Sequence, residues 1–158
     1  MDVKKKEGRY ERVYSQIQAL LQKSPTPLAR MATINAVLHH KMEYFFWTGF
    51  YLLENGNLTV GPYQGSVACQ LLEKGKGVCW ASLNNRTSVV VEDVHLFPGH
   101  IACDSRSNSE IAIPLPDANG ELVGVFDVDS KEAGSFDETD RQWLERIVSL
   151  IYAPVKAS

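Results

Sequence analysis

Three cysteines and a small set of carboxylates are the residues in this chain whose types and spacing can do chemistry. Val123, Val125, Asp127 and Asp129 fall on one face of a strand, because side chains alternate with a period of two. Two carboxyl groups then lie roughly 6 to 7 Å apart, one pleat repeat. Beside apolar neighbours such a pair cannot ionise freely. Burial and mutual repulsion are expected to hold at least one acid protonated, ready to donate a proton. The competing reading is a strand that has reached the sheet edge, with Asp129 solvated before Ser130. Glu110 is similarly double-edged: it opens the strand Ile111-Ala112-Ile113 and either faces the same pocket or caps the loop before it.

Cys69, Cys79 and Cys103 are spaced 10 and then 24 apart, with no C-x-x-C. An odd count at these spacings suits neither a disulfide framework nor a zinc ribbon. Cys69 and Cys79 lie in apolar contexts, Val67-Ala68-Cys69 and Gly77-Val78-Cys79, where a thiol behaves as a small buried hydrophobe. Cys103 lies among small and polar groups in the loop expected over 94–108, reachable by solvent. His100 or Arg106 is positioned to supply the positive charge that makes a thiolate. With His95 and His100 the cysteines include enough soft ligands for zinc, but they lack the short paired spacers of structural zinc sites, and no metal is expected.

The elements that must position these groups are legible from periodicity. The chain has 158 residues, 44% of them hydrophobic, enough for one substantial core, and a single domain is expected over 1–158. Tyr10, Val13, Tyr14, Ile17, Leu20 and Leu21 recur at helical spacing. Ser24-Pro25-Thr26-Pro27 ends that helix and starts a second through Leu28, Met31, Ile34 and Leu38 to about Lys41. Strands are expected over 44–53 and 58–63 around the Glu54-Asn55-Gly56-Asn57 turn, over 87–91, and over 111–115 and 122–128 around Asp117-Ala118-Asn119-Gly120, with a short helix near 77–83. Asp137 caps a last helix, with Asp140 as the acidic half of a capping box. The organisation is therefore N-terminal helices over 1–42, sheet and active-site loops over 43–130, and a C-terminal helix over 137–153: an α+β sheet domain. A net charge of −3, with the acidic excess in residues 31–158, excludes a broad nucleic-acid-binding surface. No apolar run approaches a membrane span and no apolar segment follows the Lys4-Lys5-Lys6 cluster, so a cytoplasmic protein without a membrane partner is expected.

Several stretches resemble one known family, the GAF-domain free methionine-(R)-sulfoxide reductases. They are Trp47-Thr48-Gly49-Phe50-Tyr51, Gly61-Pro62-Tyr63-Gln64-Gly65 with Ala68-Cys69, Gly75-Lys76-Gly77-Val78-Cys79, Gly99-His100-Ile101-Ala102-Cys103-Asp104, Ser107-Asn108-Ser109-Glu110-Ile111 and Gly124-Val125-Phe126-Asp127-Val128-Asp129. The resemblance implies a GAF-like α+β fold, a central antiparallel sheet of about six strands with N- and C-terminal helices packed on it, with Cys103 as the attacking thiol and Cys79 and Cys69 as candidate resolving thiols. It places Trp47, Tyr51, Glu110, Asp127 and Asp129 around free methionine-(R)-sulfoxide. It further implies no bound cofactor, thioredoxin as external reductant, and a homodimer. Trp80 departs from the pattern, standing after Cys79 where the family tends to have a small residue. The chemistry suits these residue types: a sulfoxide sulfur becomes electrophilic when its oxygen is protonated, so a carboxylic acid complements a thiolate. Two rival readings are a sensory GAF module that binds a small ligand without turning it over, and a zinc-bound structural protein.

Overall fold

In the computed structural model, which describes residues 1–100 and 103–154, three of the four expected helices begin at a side-chain cap. The Asp2 carboxylate accepts from the Lys5 N–H at 2.9 Å to start α1 (Val3–Leu21), and the Thr26 hydroxyl accepts from Ala29 N–H at 3.1 Å before Pro27 opens α2 (Pro27–Lys41). Asp137 and Asp140 form the reciprocal capping box of α4 (Glu138–Val148). The third helix, α3, spans Gly77–Asn85.

Six strands, β1 (Trp47–Glu54), β2 (Asn57–Gln64), β3 (Leu71–Leu72), β4 (Val89–Val91), β5 (Ser109–Pro116) and β6 (Leu122–Ser130), form one antiparallel sheet in the order β3-β2-β1-β6-β5-β4. Asn55 and Gly56, with φ of 51° and 79°, form the two-residue turn between β1 and β2 that antiparallel strands with a right-handed twist favour. The short β3 was not among the strands expected from periodicity; two residues are too few to show a period.

Strand alternation gives the sheet two different faces. Phe50, Ile111, Ile113, Leu115, Phe126 and Val128 point to one side and pack under α1, α2 and α4 with Tyr10, Ile17, Ile34, Leu38, Leu144 and Ile147. Trp47, Tyr51, Ala112 and Val125 point to the other side, against α3 with Val78, Cys79, Trp80 and Leu83. The first cluster is the larger core, and the second includes Trp47, Tyr51 and Cys79 of the expected site. No helix among the described residues is long and apolar enough to cross a membrane.

Two further details differ from the sequence expectation. The last helix stops at Val148 rather than continuing to 153. Buried Arg30 donates from Nη1 to the carbonyls of Leu150, Ile151 and Ala153 at 3.1, 2.9 and 2.9 Å, redirecting the chain so that Ile151 still fills the core from a turn. Asp140 also does more than cap. Fully buried, it accepts from Lys6 Nζ at 2.6 Å, Tyr10 Oη at 2.6 Å and Tyr44 Oη at 2.5 Å, which joins α1, α4 and the segment before β1.

Candidate active site

Strand register assembles the acids. Asp129 pairs with Trp47 on one side and Glu110 on the other, while Asp127, two residues back, lies between Gly49 and Ala112. Because Trp47, Asp129 and Glu110 occupy one row across the sheet and Asp127 shares their face, all four side chains converge on the α3 side. The missing side chain of Gly49 makes room for the Trp47 ring, which a Cβ there would meet at 2.7 Å. A cavity of about 50 Å³ opens on this side, lined among others by Trp47, Tyr51, Cys79, Cys103, Glu110, Asp127 and Asp129. The sheet-edge alternative for Asp129 does not hold: β6 is flanked on both sides by β1 and β5, and Asp129 is half-buried. Glu110, likewise, faces the pocket rather than capping the loop.

The electrostatics follow from burial. Glu110 and Asp127 are buried, and Cys79 is 4% exposed. Burial, reinforced by the charges of Asp127 and Asp129, pushes the Glu110 carboxyl well above the usual carboxylate range. Burial also raises Asp127, and burial together with Asp127 and then Asp104 raises Asp129. The same burial, with the carboxylates of Asp127, Glu110 and Asp129 around it, holds Cys79 as a thiol. Asp127 Oδ1 is buried with no hydrogen-bond partner among the described residues, so the acid cluster presents an open acceptor to whatever enters. Cys79 Sγ and one oxygen each of Glu110 and Asp127 lie within 4.8 Å of one another, a donor set that could hold a divalent cation.

The aromatic wall is held from behind. Trp47 stacks between Tyr51 and Tyr63, with ring centroids 5.7 and 5.3 Å away, and its Nε1–H donates to the Ser66 carbonyl at 3.1 Å. Tyr51 Oη donates to the Cys69 carbonyl at 3.2 Å, tying the Cys69 loop to β1. Trp80 turns into the α3 core, where its Nε1 has no partner among the described residues. A bulky residue after Cys79 is thus accommodated by packing, away from the acids.

Cys103 is bonded to Cys69, with Cα atoms 5.5 Å apart, and Cys79 is the free thiol. Cys103 is exposed while Cys69 is half-buried, so the loop cysteine is reachable as its sequence context suggests. Its expected cationic neighbours are otherwise engaged. The Arg106 guanidinium is bound to Asp104, Nη2 to Oδ2 at 2.7 Å. Burial, then the charge of His95, lowers the His100 pKa and keeps the imidazole neutral. Ile101 and Ala102 of the same loop lie outside the described residues. A zinc site on the three cysteines and two histidines is not assembled, since two of the cysteines bond each other and the His95 ring contacts Asn108. Ser66 and Asp104 also line the cavity and carried no periodicity or spacing signal; only adjacency to Cys103 pointed to Asp104.

Residues 33–152 match the family described as GAF domain. The chain is 43% identical over 147 residues to GAF domain-containing protein A of Dictyostelium discoideum, covering 92% of each. It is 42% identical over 131 residues to free methionine-R-sulfoxide reductase of Escherichia coli (strain K12), covering 83% of this chain and 79% of that one. Among solved structures, free methionine-R-sulfoxide reductase from Neisseria meningitidis in complex with its substrate superimposes with a TM-score of 0.85 at 37% identity, covering 90% of this chain and 86% of the other.

Proposed function

This chain belongs to the GAF-domain family of free methionine-R-sulfoxide reductases, and from that premise we propose that it reduces free L-methionine-(R)-sulfoxide by thiol chemistry in the cavity above Asp127. The observation that carries the proposal is the shared cavity: the half-cystine Cys103 and three carboxyl groups with raised pKa face one space.

The substrate thioether packs against Trp47 and Tyr51, and its ammonium is held by whichever of Glu110, Asp127 and Asp129 is ionised. The N-terminus of α3 has no side-chain cap, and Gly77 and Val78 line the cavity, so its free N–H groups suit the substrate carboxylate. A protonated acid of the cluster donates to the sulfoxide oxygen, and the Cys103 thiolate takes up that oxygen. Methionine leaves, reduced by two electrons, and Cys103 is left as a sulfenic acid. The Cys69 thiol condenses with it to give the disulfide and water. Cys79, buried and held as a thiol, is a poorer resolving partner. An external dithiol protein of the thioredoxin class reopens the disulfide by exchange, and no bound cofactor takes part. A cytoplasmic homodimer completes this reading.

The test is epimer-resolved turnover of free and peptide-bound methionine sulfoxide with a thioredoxin couple. Wild type is expected to consume only the free R epimer. Cys103→Ser is expected to lose activity by at least about a thousandfold, and Cys69→Ser to stall after one turnover with a trappable sulfenic acid. Near-wild-type turnover by Cys103→Ser overturns the mechanism, and ligand binding without turnover in wild type points to the sensory reading.

A further inference from the structure

Asp104 directly follows Cys103 and has no part in the chemistry above, yet its carboxylate gathers four hydrogen bonds. The Ser66 hydroxyl donates to Oδ2 at 2.8 Å, and Arg106 donates from its backbone N–H to Oδ1 at 2.9 Å, from Nε to Oδ1 at 3.0 Å and from Nη2 to Oδ2 at 2.7 Å. The Ser66 bond joins segments far apart in the chain, since Ser66 stands three residues before Cys69 and Asp104 one residue after Cys103. Both ends of this bridge are rooted at the start of β1. The Ser66 carbonyl accepts the Trp47 indole N–H, and the Arg106 guanidinium lies over the Phe46 ring, 4.8 Å from its centroid.

We propose that Asp104 is a positioning residue: through Ser66 and Arg106 it keeps the Cys103 loop against the Cys69 loop when both thiols are free, raising the effective concentration of one sulfur at the other. The inference rests on the reading above that Cys69 closes on the Cys103 sulfenic acid. In that step Cys103–SOH and Cys69–SH become a disulfide and water, and Asp104 exchanges no atoms. A bridge that survives reduction turns closure from a loop search into a local encounter. The hydrogen bonds from Arg106 and then Ser66 hold the Asp104 carboxyl far below the ordinary carboxylate range, so the acceptor stays charged throughout the neutral range. Arg106 has a second effect. A bare carboxylate beside Cys103 would disfavour its thiolate, and the bidentate guanidinium cancels that charge.

The experiment is the equilibrium of the full chain with reduced and oxidised glutathione, reading the Cys69–Cys103 disulfide by alkylation and mass spectrometry. Asp104→Ala and Ser66→Ala are each expected to lower the equilibrium constant for disulfide formation about tenfold, the scale of one charge-assisted hydrogen bond. The double variant should fall no further than Asp104→Ala alone, because both remove the same bridge, and Ser66→Thr, which keeps the hydroxyl, should restore the wild-type value. A merely structural role would destabilise oxidised and reduced protein alike and leave this equilibrium unmoved. An unchanged constant in both single variants, or additive losses in the double, overturns the proposal. Should Asp104→Ala fail to fold, Ser66→Ala carries the test. No methionine sulfoxide is present, so a chain that shows the tenfold shift but reduces no sulfoxide keeps the bridge and refutes only the functional reading. Turnover with an unmoved equilibrium refutes only the bridge.

Discussion

Replacing Glu110 by Gln asks whether the three acids share one buried electrostatic site. Gln keeps the shape and donor capacity of a protonated Glu110 but cannot ionise. Glu110 is 6% exposed and Asp127 4%, with carboxylate oxygens inside 4.8 Å, and Coulomb's law at an effective dielectric of about 20 puts roughly 3 to 4 kcal/mol of repulsion on the fully ionised pair. The folded protein escapes part of this by retaining a proton, which is why burial first and Asp127 second raise the Glu110 pKa. A carboxyl whose folded pKa is raised binds its proton more tightly in the native state. Its stabilising contribution is whole below the unfolded value of about 4.3 and is lost as pH climbs toward the folded value. Wild type should therefore lose stability between about pH 4 and pH 8, and Glu110→Gln should lose less, gaining about 1 to 3 kcal/mol relative to wild type across that interval. Urea unfolding of both proteins with the disulfide intact, at the two pH values, measures the difference as a shift in midpoint at constant m. The sign at pH 4 is immaterial; the change in the gap is what counts. Parallel stability curves would refute the close, mutually repelling arrangement and with it the origin of the proton donor.

Two further substitutions probe the frame that carries the site. Asp140→Ala removes the buried acceptor shared by Lys6, Tyr10 and Tyr44, leaving the Lys6 ammonium only Asp137 and the Ser135 carbonyl, and is expected to cost about 2 to 4 kcal/mol of unfolding free energy by urea titration; a loss below 1 kcal/mol would mean the network is solvated. Gly124→Ala places a methyl against the Tyr51 carbonyl, backbone that cannot swing aside, and should cost about 1 to 3 kcal/mol while raising KM through the displaced Tyr51 ring. Unchanged KM and stability would contradict the close approach of β1 and β6.

How much of this was legible in the sequence can be judged residue by residue. Period-two alternation placed Asp127 and Asp129 on one face without any knowledge of their neighbours, because pleat geometry is a property of a single strand. The helix start at Pro27, the cap at Asp137 and the Asn55-Gly56 turn were equally local, each an affair of four residues or fewer. The cysteine and carboxylate types pointed to thiol and acid chemistry before any contact was known, with zinc and simple ligand binding kept as rivals.

What only the tertiary structure decided is which distant groups meet. Register across β1, β6 and β5 brought Trp47, Asp129 and Glu110 into one row. It also turned the ambiguity of Glu110 into a pocket-facing acid. Cys103 pairs with Cys69 although Cys79 is nearer in sequence, since a disulfide obeys the distance between Cα atoms and α3 carries Cys79 into the acid-lined core. Ser66 and Asp104, 38 residues apart, had no spacing rule to announce them. The division has one physical cause: periodicity and capping are set by backbone geometry within a few residues, whereas register and loop contacts are chosen by the joint burial of surfaces from the whole chain, a many-body condition that no short window of sequence contains.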